Sequence, residues 1–237
     1  MIYSISIICY QKRGLSKECL TSVLANSSKD PDRVEILVTD NGSTDGTGIM
    51  LRHDFKDPRI KVIRNASNRG VIGPKRHALS MATGAYFVSL DNDCTVGPGW
   101  LAALRKPFRD DPKVAQVGRE NAFCTLNAKG IGHHGARVDY IDGSCFMVNR
   151  EVAERIGLCD PAYQFAYCED SDFSLRLRKG GWRIAVANAA VKHRRHQTAH
   201  NAGLNLKAYW ERNHALFVSR WAGYLRTQQF GHLGEPL

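Results

Sequence analysis

The sequence predicts an α/β fold in which a mostly parallel β-sheet is flanked by helices. Residues 2–9, 34–39, 60–64 and 86–90 are short apolar runs rich in branched and aromatic side chains, which favour buried β-strands. Helix-like segments separate these runs through the first hundred residues. Such alternation is typical of βαβ units, whose strands run parallel.

The remaining elements are predicted from shorter patterns. Residues 119–142 are polar and glycine-rich with little periodicity, so they predict no extended regular element. We expect helices at residues 75–82, 100–108, 151–156 and 173–179, and strands at residues 114–117, 145–148 and 184–191.

The segment from Leu204 to Arg226 interleaves apolar and basic residues and predicts one or two amphipathic helices. Its bases and tryptophans could contact anionic lipid or nucleic-acid phosphates. Alternatively, its aromatic side chains could pack onto the sheet and leave the bases in solvent. The basic residues are Lys207, Arg212, Arg220 and Arg226, and the tryptophans are Trp210 and Trp221.

The composition is that of a globular protein with a basic surface. The 237 residues are 43% hydrophobic and 24% charged, which suits a single α/β domain. The formal net charge of +10 favours anionic partners. Seven cysteines without a C-x-x-C pair argue against a zinc site or a disulfide framework. No apolar run approaches the roughly 20 residues that span a bilayer, and no signal-like segment is evident, so a cytoplasmic protein is expected.

Two carboxylates follow the strand predicted at residues 86–90. Asp91 and Asp93 are separated by one residue and would lie where this strand leaves the sheet. Ligands of open α/β sheets bind outside the carboxyl ends of the strands, and carboxylates are preferred ligands of Mg²⁺ and Mn²⁺. The pair therefore indicates a metal site. In the alternative interpretation, Asp91 caps the next segment and Asp93 is solvated.

Six motifs follow one another in an order that resembles the family 2 inverting glycosyltransferases, and they cover residues 2–196. They are a β-rich start, V-T-D-N-G-S-T-D after the second strand, N-x-G followed by an Arg on a short helix, D-x-D after an apolar strand, Glu-Asp before R-L-R-K-G-G-W, and a final strand that ends in His. The resemblance implies a GT-A fold, with a Rossmann-like, mostly parallel sheet and a smaller acceptor-side subregion.

The resemblance also implies a single domain over residues 1–237. Residues 1–95 would form the nucleotide-sugar-binding half, residues 96–200 the acceptor and catalytic half, and residues 201–237 a basic, aromatic, helical tail. One loop departs from the family pattern, because C-Y-Q-K at residues 9–12 replaces a frequent Pro-x-Tyr-Asn.

Donor binding is implied at five positions. Asp40 would accept hydrogen bonds from the base of a nucleoside diphosphate sugar, and Asp91 would face the ribose. The guanidinium of Arg76 could bond ribose, phosphate or Asp91. In the structural alternatives, Asp40 only forms a turn and Arg76 is a solvated charge. The implied donor residues are Asp40, Asn68, Arg76, Asp91 and Asn92.

Catalysis and metal binding are implied at three more residues, namely Asp170, Asp93 and His193. Asp170 matches the family's base, which takes the acceptor proton during attack on the anomeric carbon, although it could instead serve only as a helix cap. Asp93 and His193 would hold Mn²⁺ or Mg²⁺, which offsets charge on the departing diphosphate. His196 and His200 are nearby competitors for the histidine role.

The sequence thus predicts a metal-dependent inverting glycosyltransferase that moves a sugar from a nucleoside diphosphate donor to a hydroxyl acceptor. The expected acceptor is a lipid-linked or other glycan, contacted through residues 119–142, with modified-base DNA as an alternative. A nucleotidyltransferase and a non-catalytic nucleotide-sugar-binding module are the rival functions. A nucleotidyltransferase would need a glycine-rich basic loop after the first strand, and Q-K-R-G at residues 11–14 fits this poorly.

Overall fold

The computed structural model describes residues 2–28, 33–119, 121–122, 138–194 and 205–231. Strands and helices alternate through the first hundred residues, as predicted. The strands are β1 (Tyr3–Cys9), β2 (Val34–Asp40), β3 (Ile60–Arg64), β4 (Tyr86–Asp91), β5 (Cys94–Val96), β6 (Val114–Gly118), β7 (Asn121–Ala122), β8 (Tyr140–Ile141), β9 (Cys145–Asn149), β10 (Arg183–Val186) and β11 (Val191–His193). The helices are α1 (Arg13–Asn26), α2 (Thr47–Asp54), α3 (Ile72–Met81), α4 (Trp100–Asp110), α5 (Arg150–Ile156), α6 (Glu169–Lys179) and α7 (Leu206–Gly231).

Seven strands form one sheet with the order β10-β6-β9-β4-β1-β2-β3. Strands β4, β1, β2 and β3 are parallel neighbours, and β10 is parallel to β6. Strand β9 runs antiparallel to both β4 and β6. The sheet is therefore mostly parallel, which confirms the predicted fold class. Because β1, β2 and β4 are parallel, their carboxyl ends meet at one edge, where a ligand site is expected.

The sheet separates two apolar cores. Strands β1 and β2 are buried along nearly their whole length, as continuous apolar runs in a parallel sheet predict. Adjacent residues of one strand point to opposite faces. Val88 accordingly joins the core under α1 and α4, where Trp100 is fully buried, whereas Phe87 joins the core that contains Phe146 and Phe173.

The prediction of one strand over residues 184–191 is wrong. The chain forms β10, leaves the sheet after Val186, and forms β11 in a separate two-stranded ribbon with β5. Two tight turns cause the break, because Ala189 N donates to Ala187 O (2.8 Å) and Val191 N donates to Ala189 O (2.7 Å). Asn188, between the two strands, is a residue that turns favour and strands disfavour, so it is a local signal of the break.

The C-terminal segment forms one long helix, α7, that packs onto the second core. Phe217, Trp221 and Leu225 are buried there, and Arg220 forms an ion pair with Asp160 at 2.7 Å. This agrees with the interpretation in which the aromatic residues pack back onto the domain. Among the described residues, we find no helix whose length and apolarity would let it span a bilayer.

The buried carboxylate of Glu35 ties four neighbouring segments together. Its Oε1 accepts hydrogen bonds from Ser4 Oγ (2.6 Å), Thr83 N (2.7 Å) and Thr83 Oγ1 (2.8 Å), and its Oε2 pairs with Lys61 Nζ at 2.8 Å. It thereby joins β1, β2, β3 and the turn before β4. Although burial alone would raise the pKa of Glu35, these donors lower it to about 2.

We predict that Glu35→Ala lowers the free energy of unfolding by about 2–3 kcal/mol, because buried donors lose their acceptor. Since the pKa of Glu35 is lower in the folded state, its stabilising effect is complete above its ordinary value of 4.5 and is lost as the pH falls towards about 2. Urea unfolding at several pH values measures this. Glu151→Ala, at an exposed position, is the control and should cost less than about 0.5 kcal/mol. Equal effects of the two variants would contradict the prediction.

Candidate active site

A cavity of about 450 Å³ opens at the edge where the parallel strands end. Its floor contains Asp91, the last residue of β4, followed by Asn92 and Asp93. One side of its wall comes from early parts of the chain, including the loop with Asn68 and the start of α3 with Lys75. The other side comes from residues 140 and 142–144 near β8 and β9, residues 165–171 before and within α6, and two residues of α7. Segments far apart in the sequence therefore face one space, as a substrate pocket requires.

The ribbon of β5 and β11 brings a distant histidine to the carboxylates. His193 lies opposite Cys94 in this antiparallel pair, and the backbone N of Arg194 donates to Asp93 O at 3.0 Å. As a result, His193 Nε2 lies 3.2 Å from Asp93 Oδ1. The nearby Asp93 carboxylate raises the pKa of His193 above its ordinary value, although partial burial opposes this.

The residues at this corner fit a divalent cation. Asp93 is almost fully buried, and its Oδ1 receives no well-aligned hydrogen bond from the described residues. A buried carboxylate oxygen without a donor is costly unless a cation offsets its charge. Ligand atoms of Asp93, Cys94 and His193 lie within 4.8 Å of one another. Burial raises the pKa of the Cys94 thiol, so the oxygen of Asp93 and the nitrogen of His193 are the better ligands for Mn²⁺.

A buried lysine neutralises part of the acidic cluster. Lys75 of α3 is 3% exposed, and its Nζ lies 3.3 Å from Glu169 Oε1. Burial alone would lower the pKa of Lys75, but nearby carboxylates, above all Glu169, raise it. Lys75 therefore carries a positive charge inside the cavity wall. Burial has the largest effect on Asp91 and raises its pKa to about 7. The positive charge of Lys75 opposes this rise, and the negative charge of Asp93 adds to it.

Asp170 presents a carboxylate to the same cavity from the first turn of α6. Its Oδ2 accepts a hydrogen bond from Gly143 N (3.0 Å), and its Oδ1 accepts one from Ser171 N (2.7 Å). Burial raises the pKa of Asp170 to about 7, and the charges of Glu169 and Asp142 add to the rise. A carboxylate with a pKa near neutrality is suited to accept a proton at physiological pH.

The cavity gathers most of the residues predicted from the sequence. Asn92 is buried, and its Nδ2 donates to Ser16 Oγ at 2.9 Å. Asn68 accepts a hydrogen bond from Asn41 Nδ2, also at 2.9 Å. The roles of these residues in binding and catalysis stay predictions. The predicted residues that line the cavity are Asn68, Asp91, Asn92, Asp93, Asp170 and His193.

Two predicted donor residues do not line this cavity. Asp40 is fully buried and already engaged, because its Oδ1 accepts from Ser43 N and its Oδ2 pairs with Arg64, both at 2.9 Å. Arg76 lies on the exposed side of α3, and its Nη1 donates to Cys159 O at 2.9 Å. Successive helical residues are rotated by about 100°, so Lys75 faces the cavity and Arg76 does not.

Sequence reasoning missed several wall residues. Lys75 is adjacent to Arg76, which the sequence predicts as a donor-binding residue. The helical periodicity of α3, in which Ala78 and Leu79 are buried, indicates that Lys75 points inward. Phe165 and Tyr167 lie in a loop with no motif. Trp210 belongs to the segment that the sequence predicts to be a helical tail, whereas in the structure it lines the cavity. Of the region expected to contact the acceptor, residues 123–137 lie outside the described residues, as do His196 and His200.

A family model identifies the chain more directly. The model described as Glycosyl transferase family 2 matches residues 4–140, which is more than half of the chain. A similar protein, 25% identical and covering 88% of this chain and 82% of its own length, is N-acetylglucosaminyl-diphospho-decaprenol L-rhamnosyltransferase of Mycobacterium tuberculosis. An uncharacterized glycosyltransferase of Haemophilus influenzae is 31% identical over 82% of this chain and 66% of its own length. The succinoglycan biosynthesis protein ExoU of Rhizobium meliloti is 30% identical over 78% of this chain and 57% of its own length.

Two solved structures share the fold. GalNAc-T7, solved with UDP, GalNAc and Mn²⁺, superposes with a TM-score of 0.70 at 19% identity, covering 81% of this chain and 44% of its own. The mannosyltransferase PcManGT of Pyrobaculum calidifontis, solved with GDP-Man and Mn²⁺, gives a TM-score of 0.62 at 21% identity, covering 79% of this chain and 56% of its own. The chain thus spans about half the length of these two structures. These two structures show that the chain has the GT-A fold. The match to the family model shows that it belongs to glycosyltransferase family 2.

Proposed function

We propose that this glycosyltransferase is metal-dependent and inverting, and that it transfers a sugar from a nucleoside diphosphate donor to a hydroxyl of a glycan. The observation that carries the proposal is the convergence of Asp170 with the Asp93 and His193 pair on one cavity. Family membership decides against a nucleotidyltransferase and favours a catalytic protein over a non-catalytic binding module.

The donor diphosphate would bind beside Asp93 and His193. Both solved neighbours were obtained with Mn²⁺ and with a nucleotide or nucleotide sugar. The buried Asp93 Oδ1, which has no well-aligned hydrogen-bond donor among the described residues, supports the same cation here. Mn²⁺ or Mg²⁺ at this position would offset the negative charge that develops on the departing diphosphate. Asp91, Asn92 and Asn68, which line the cavity, would hold the nucleoside.

Asp170 would act as the base. The acceptor oxygen attacks the anomeric carbon while its proton passes to the Asp170 carboxylate, and the bond from that carbon to the diphosphate oxygen breaks on the opposite face. One displacement of this kind inverts the anomeric configuration. The pKa of about 7 at Asp170 makes the carboxylate a better proton acceptor than an ordinary aspartate. Lys75, paired with Glu169, would keep the acidic wall from repelling the donor.

Aromatic residues at the cavity support a sugar as the acceptor. Trp210 lines the cavity, is 37% exposed, and stacks on His214 with ring centroids 4.7 Å apart and an angle of 10°. His214 thus holds the indole in place by covering one of its faces. Aromatic rings with a polar edge bind ligands that have both C–H and hydroxyl groups, and a pyranose ring has both.

A lipid-linked acceptor fits the relatives best. The mycobacterial relative is named for transfer to a diphospho-decaprenol saccharide, and none of the relatives described above is named for nucleic acid. We therefore favour a lipid-linked or other glycan over modified DNA. A peripheral contact with anionic lipid could use exposed bases of α7 such as Lys207 and Arg226. A cytoplasmic location stays a prediction.

We predict that His193→Ala weakens Mn²⁺ binding by at least about 10–100-fold, the loss that even outer-sphere partners of a metal cause. Free Mn²⁺ measured by electron paramagnetic resonance, with UDP, GDP or dTDP present, gives the affinity without any turnover. His77→Ala, at an exposed position of α3, is the matched control. Unchanged Mn²⁺ affinity in His193→Ala would remove His193 from the metal site.

We predict that Asp170→Asn lowers kcat by about 10²–10⁴-fold, the usual contribution of a general base, and leaves nucleotide binding intact. A panel of UDP-, GDP- and dTDP-sugars, screened by Mn²⁺-dependent thermal stabilisation and slow donor hydrolysis, first identifies the donor. Transfer and hydrolysis are then compared with those of Asp110→Asn, an exposed carboxylate on α4. Wild-type rates in Asp170→Asn would show that another group takes the proton.

We predict that Trp210→Ala raises the KM for a glycan acceptor about tenfold, equivalent to about 1.4 kcal/mol of lost contact. The KM for the donor should not change, and Trp210→Phe should retain most acceptor affinity because it keeps an aromatic face. Steady-state kinetics with each substrate varied in turn separates the two effects. An equal rise in both KM values would argue that Trp210 only supports the shape of the cavity.

A further inference from the structure

A short segment before α6 adopts a backbone conformation that L-residues rarely take. Phe165, Tyr167 and Cys168 have φ angles of 63°, 79° and 66°. Side chains with a Cβ disfavour this left-handed region, and none of the three is the asparagine or aspartate that tolerates it best. Outside contacts must therefore hold residues 164–168 in this form.

Residues 165–168 line the cavity and connect its donor side with the helix that carries Asp170. The carbonyl group of Phe165 accepts a hydrogen bond from Val71 N (2.7 Å), in the loop that carries Asn68. The approach is so close that a Cβ on Gly70 would lie 2.1 Å from Phe165 O. In the other direction the segment continues directly into Glu169 and Asp170. Its conformation therefore sets the position of the base relative to the donor side.

One side chain of α7 satisfies the backbone of this segment. Asn213 is fully buried, and the two hydrogens of its Nδ2 are donated to Gln164 O (2.7 Å) and Ala166 O (2.7 Å). Tyr167 O, at 3.3 Å, shares one of these hydrogens in a three-centre bond. Its Oδ1 accepts a hydrogen bond from Gln164 N at 3.1 Å. A single amide thus binds four backbone groups of one loop, a pattern that neither a helix nor a strand could supply.

The neighbouring turns of α7 reinforce this contact. Tyr209 stacks on Phe165 with ring centroids 4.9 Å apart, and Arg212 Nη1 donates to Ala162 O at 3.0 Å. Farther along the helix, Trp221 Nε1 donates to the buried carboxylate of Asp172 in α6 at 2.9 Å. Helix α7 therefore holds both the segment and the helix that it enters.

We propose that Asn213 is a positioning residue for sugar transfer: its amide holds residues 164–168 in their strained form and so places Asp170 against the donor. Asn213 does not itself line the cavity and acts only through this segment. The inference rests on the proposed role of Asp170 as the base. Without the amide, buried carbonyl groups lose their donors, and the segment relaxes towards ordinary backbone angles.

Two variants of Asn213 test this. Asn213→Ala removes the amide, and Asn213→Asp keeps the size but sets a carboxylate against carbonyl oxygens. In both we expect faster hydrogen–deuterium exchange at the amides of Val71 and residues 164–168. We also expect kcat to fall about tenfold to 100-fold, as misplaced catalytic groups cause, while the Mn²⁺ affinity stays unchanged because Asp93 and His193 are untouched.

Phe217→Leu is the matched control, because Phe217 is a buried core residue of the same helix that makes no hydrogen bond to the segment. It should lower the melting temperature without lowering kcat or loosening residues 164–168. If Phe217→Leu and Asn213→Ala lose kcat in proportion to stability, Asn213 is only structural and the inference is wrong. Unchanged exchange in both Asn213 variants would also overturn it.

The same measurements separate this inference from the proposed function. If the wild-type chain transfers or hydrolyses none of the nucleotide sugars, the proposed function fails. Selective loosening of residues 164–168 in the Asn213 variants would still show that the Asn213 amide holds this segment. If wild-type activity is present and Asn213→Asp retains full kcat, the positioning role fails and the proposed function stands.

Discussion

Repulsion among carboxylates at one edge of the sheet is the constraint on which the rest of the site depends. Each is partly or wholly removed from water, so the charged forms are penalised by burial and by one another. The pKa values of Asp91 and Asp170 rise to about 7 as a result. The acidic residues lining the cavity are Asp91, Asp93, Asp142, Glu169 and Asp170.

Two basic side chains partly offset this repulsion. Lys75 is buried against Glu169, and His193 lies against Asp93. Because Asp93 Oδ1 still has no aligned donor among the described residues, the compensation on that side is incomplete. A divalent ion would complete it, so the buried carboxylates that are costly to the fold are also the groups that would hold a metal. Function and stability conflict at this edge, as they commonly do in active sites.

The rest of the fold supplies rigidity where the site needs it. Glu35 joins the strands below the cavity through four contacts, while α7 fixes the wall above it through Asn213 and Trp221. Residues 164–168 contact α7 through Asn213, and Phe165 O accepts a hydrogen bond from Val71 N on the donor side of the cavity.

Local periodicity and motifs predicted most of the strands and helices, the parallel half of the sheet, and the placement of Asp91, Asp93 and Asp170 at strand or helix ends. The helical period of α3 also contained the information that Lys75 points inward. The path of the chain after the break in the strand expected at residues 184–191, which carries His193 to Asp93, and the closure of the cavity wall by α7 appear only in the folded chain. Both depend on contacts between residues far apart in the sequence. Pairing of β5 with β11 and the hydrogen bonds of Asn213 exist only once the sheet has formed, and nothing in the local sequence encodes them.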